Sequence, residues 1–90
     1  MTQKNILYKS SEGMNRADFA DFLRRVADKI DSGKVSFQAQ QGPVEIDIPE
    51  DVVVEVKLTE KAKSGGTKID FEIEADWIKG GRASEGIKLA

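Results

Sequence analysis

Between Lys68 and Trp77 the chain reads KIDFEIEADW, with Ile69, Phe71, Ile73, Ala75 and Trp77 alternating against Lys68, Asp70, Glu72, Glu74 and Asp76. Side chains point to opposite faces along a strand, so this run can only be a strand with one apolar face and one charged, mostly acidic face. It ends on the single Trp of the chain. An indole closing an unbroken apolar alternation reads as packing; ligand stacking is the weaker reading.

The same period recurs upstream. Val35, Phe37 and Ala39 alternate with Ser36, Gln38 and Gln40, and Gln41–Gly42–Pro43 signals a turn. Val44, Ile46 and Ile48 alternate with Glu45 and Asp47 until Pro49, which has no amide proton to donate to a ladder. Val52, Val54, Val56 and Leu58 then alternate with Val53, Glu55, Lys57 and Thr59. Lys61 to Gly66 (KAKSGG) reads as a flexible hairpin loop. Four alternating strands joined by short connections predict an antiparallel meander.

Ahead of them lies a helix with both ends marked. Asn15 is a favoured N-cap, and Asp18 stands at the position that reaches back to the cap. Met14 and Phe19 are spaced for a hydrophobic staple. Phe19, Phe22, Leu23, Val26, Ala27 and Ile30 form one apolar stripe, and Gly33 suits a left-handed C-cap. The opposite face carries Asp21–Arg25 and Arg24–Asp28 at i, i+4. The predicted helix spans about residues 16–32. Asn5–Lys9 (NILYK) is a short apolar-aromatic run read as a first strand, after which Ser10–Gly13 turns the chain.

These elements give an α+β single domain over residues 1–78: one helix on a four- to five-stranded antiparallel meander, ordered strand, helix, then four strands. Residues 79–90 contain Gly80–Gly81 and have no period, so they read as a flexible C-terminal tail. The expected inward set is Val35, Phe37, Ala39, Val44, Ile46, Ile48, Val52, Val54, Val56, Leu58, Ile69, Phe71, Ile73, Ala75 and Trp77.

A family resemblance sits on these same residues. A Glu12-x-Met14-x-Arg16 start, a Phe22-Leu23-Arg24 centre, Ala27 and a Ser32-Gly33 stop are followed by acidic-outside strands that run to Trp77. Over about residues 6–77 the chain resembles the amphi-Trp domain, a family of small domains with no assigned activity. The resemblance supports the fold and carries over no functional residue.

Composition excludes much chemistry. The chain has no His and no Cys, which removes imidazole acid–base catalysis, Ser-His-Asp and Cys-His arrangements, thiolate metal sites and disulfides. No GxxxxGK[ST] or GxGxxG occurs. Gly65–Gly66 lies between strands and Gly80–Gly81 opens no helix, so neither makes a phosphate cradle. Tyr8 lies within an apolar run, where packing explains it better than proton transfer. No apolar run nears the ~20 residues of a membrane span, and the first residues lack a signal-peptide core. A small domain without cysteine staples suits a cytoplasmic location.

Charge is unevenly spread along the chain. Residues 1–43 carry seven basic and five acidic side chains, residues 44–77 four and ten, and residues 78–90 three and one. The acidic strand half disfavours a nucleic-acid backbone as partner. Glu45, Asp47, Glu55, Asp70, Glu72, Glu74 and Asp76 should share the outer sheet face. A solvated face that limits aggregation is the plain reading of them. The alternative is a basic partner, or a cation- or small-ligand-binding domain that uses this acidic face, a cation being held through oxygen ligands. No cofactor and no catalytic residue is expected.

One magnitude points to a protein partner. A sheet of four or five strands at ~4.8 Å spacing is about 19–24 Å across. One helix with its side chains covers only ~10–12 Å. Either the sheet coils around the helix, or something else covers the rest. The expectation is therefore a non-catalytic interaction or self-associating module, with a homodimer among its possible forms. Val53 and Leu7 add apolar character outside the inward set, though two such residues do not define a patch.

Overall fold

A computed structural model describes residues 3–80. It contains one helix, α1 (Arg16–Ser32), and four strands, β1 (Lys34–Ala39), β2 (Gly42–Asp47), β3 (Val53–Lys63) and β4 (Gly66–Asp76). The fold class is α+β with antiparallel strands. The chain divides into two compact units, Met1–Ile48 and Pro49–Ala90.

In the first unit, α1 begins and ends where its caps dictate. The Asn15 side chain accepts a hydrogen bond from the Asp18 amide at 2.7 Å, and Gly33 closes the helix at φ 88° with its N–H donating to Ile30 and Lys29 carbonyls. The Ser32 hydroxyl donates to the Lys29 carbonyl at 2.6 Å, satisfying another helix-end acceptor. The surface ion pair is Arg24–Asp21 at 3.4 Å, spaced i, i+3, where the sequence suggested i, i+4 pairs. Both side chains are exposed, so it adds little stability.

β1 and β2 pair in the register Lys34↔Asp47 to Ala39↔Gly42, closed by Gln40–Gln41. Gly42, with φ 115°, and Pro43, both expected in the turn, fall inside β2, because the turn sits earlier, at Gln40–Gln41. Pro43 is tolerated because it stands at the strand's beginning. Directly opposed residues share a face, so Val35, Phe37 and Val44 line the side that carries the unit's packing. α1 packs on β1, and Val35 is the one buried apolar residue among those described.

The expected first strand does not form: Asn5–Lys9 is irregular. Tyr8 contributes its ring instead, stacked on Phe37 at 4.6 Å and 17°. The segment is held by a side-chain contact and not by a ladder.

In the second unit β3 and β4 pair along their full length, from Val53↔Asp76 to Lys63↔Gly66. The expected loop Lys61–Gly66 is much shorter, a two-residue turn at Ser64–Gly65. Gly66 at φ 142° lets the ladder continue right up to that turn.

The four strands form two two-stranded sheets, β1-β2 and β3-β4, where a single meander was expected. The Ile48 amide donates to the Gly33 carbonyl at 2.9 Å, tying the residue after β2 to the helix C-cap, and Pro49 has no amide to donate. The inward set also stays less covered than expected, with Ile46 at 37% exposure and the β3–β4 residues higher still. Trp77 is half-buried. The expected tail lies, from residue 81 onward, outside the described residues.

Candidate interaction surface

The register of β3–β4 sorts its side chains onto two faces, because directly opposed residues of an antiparallel pair point the same way. One face stacks Val54 with Ala75, Val56 with Ile73, Leu58 with Phe71, and Glu60 with Ile69. Its large apolar members run from 57% exposed at Phe71 to 72% at Leu58. Single exposed apolar residues are ordinary on a protein surface; here six share one face.

The other face is polar and reverses its charge along the hairpin. At the open end Val53 opposes Asp76 and Glu55 opposes Glu74. In the middle Lys57 faces Glu72, and Thr59 faces Asp70. At the turn end Lys61 opposes Lys68, with Lys63 beyond them. Like charges directly opposed are unfavourable by a few tenths of a kcal/mol to about 1 kcal/mol. The Lys68–Asp70 approach at 3.8 Å tempers the basic end.

The seven carboxylates of the expected outer face therefore fall into two groups. Glu55, Asp70, Glu72, Glu74 and Asp76 lie on β3 and β4. Glu45 and Asp47 lie on β2, where Lys34 bridges them at 3.3 and 3.6 Å. The hydrogen bond and charge of Glu45, then the charge of Asp47, raise the Lys34 ammonium above its ordinary value of 10.5. Among the described residues no three carboxylates converge on a point where a metal ion could be held.

The basic turn end was not legible as part of this face. Lys61 and Lys63 read as loop residues, and only the register places them beside Lys68. A usable signal was present in the alternation of Lys57, Thr59, Lys61 and Lys63, which continues the polar period of the strand past Leu58.

Among the described residues no helix is long and apolar enough to cross a membrane. No match emerges among curated proteins or among solved structures. The family model of the Amphi-Trp domain matches residues 1–90, and the chain belongs to that family.

Proposed function

We propose that this chain is a non-catalytic protein-interaction module that works through the β3–β4 hairpin. The observation that carries the reading is the apolar face of Val54, Val56, Leu58, Ile69, Phe71 and Ile73, each more than half exposed. An isolated two-stranded hairpin is marginal in water, and its apolar face gains stability only when another surface covers it. A sequence without His or Cys, and carboxylates that do not converge among the described residues, give a catalytic reading no comparable support.

The test is solution mass by light scattering over a hundredfold concentration range, together with binding of an apolar fluorescent dye. The full chain should either exceed monomer mass or bind the dye, and Phe71→Lys should reduce whichever is seen. A strict monomer that binds no dye has no available apolar face and would overturn the reading.

A further inference from the structure

We draw no further inference here: the strongest candidate, the exposed apolar face of β3–β4 formed by Val54, Val56, Leu58, Ile69, Phe71 and Ile73, carries nothing beyond the interaction reading above, because nothing in the structure shows what covers it.

Discussion

At the residue scale, the clearest dependence on a single backbone angle is at Gly33. An added Cβ meets nothing within 4 Å there, yet φ is 88°. The cost of Gly33→Ala is thus conformational and not steric, about 1–2 kcal/mol for an L-residue forced into the left-handed region. Asn15→Ala at the other end removes the 2.7 Å cap bond and should cost about 1 kcal/mol. Urea denaturation followed by helix circular dichroism should show both losses, with an unchanged m-value. Lys34 gives a pH prediction with a definite sign. Its folded pKa lies above the ordinary 10.5 because of Glu45 first and Asp47 second. The stabilisation is then fully present below about pH 10.5 and fades as pH rises through the folded value. Thermal unfolding compared at pH 9 and pH 11 should show wild type losing its advantage over Lys34→Gln. An advantage of undiminished size at every pH above 10.5 would mean that it does not come from the charge of Lys34.

At the element scale, what the sequence made legible follows from how local each determinant is. α1 was readable to the residue because its limits are set by Asn15 and Gly33 themselves, and both caps form as their chemistry requires. β1 and β2 were readable because Val35, Phe37, Val44 and Ile46 alternate and a turn signal stands between them. Lys61–Lys63 misled because lysines beside Ser64 and two glycines resemble a loop. The ladder that recruits them depends on cross-strand pairing with Thr67 and Lys68, which no single-strand pattern contains. Asn5–Lys9 misled in the opposite sense. Its apolar content serves one ring stack on Phe37, and a strand needs a partner edge that composition cannot reveal. The outer acidic face was half legible: the five carboxylates of β3 and β4 do share a face, but its lysines emerge only with the register. The turn carries an element-scale prediction. Gly66, with φ 142° and open space around its Cβ position, should tolerate Gly66→Ala sterically while straining the backbone. Faster amide exchange along β3 and β4, with α1 unaffected, is the expected signature.

At the scale of the whole molecule, the sequence already held the main tension, which is more apolar strand surface than one helix can cover. Exposed apolar residues line one face of β3–β4, and if association covers them, as proposed, stability depends on protein concentration. A side chain on a solvated face tolerates substitution within about 0.5 kcal/mol, whereas truncating or charging a covered one costs several kcal/mol. Leu58 is 72% exposed in the single chain, so taken alone Leu58→Lys should be nearly neutral. If a partner that binds only the folded state covers this face, association stabilises that state by mass action, and the unfolding midpoint climbs with concentration. Wild-type chain unfolded thermally across a hundredfold concentration range should therefore show a rising midpoint. Leu58→Lys should match wild type at the dilute end and stay flat thereafter, so that the two curves diverge as concentration increases. A flat wild-type curve would remove association as the source of stability. Equal destabilisation by Leu58→Lys at every concentration would place the cover of this face within the chain itself, and that pair of curves separates the two physical solutions to the surplus.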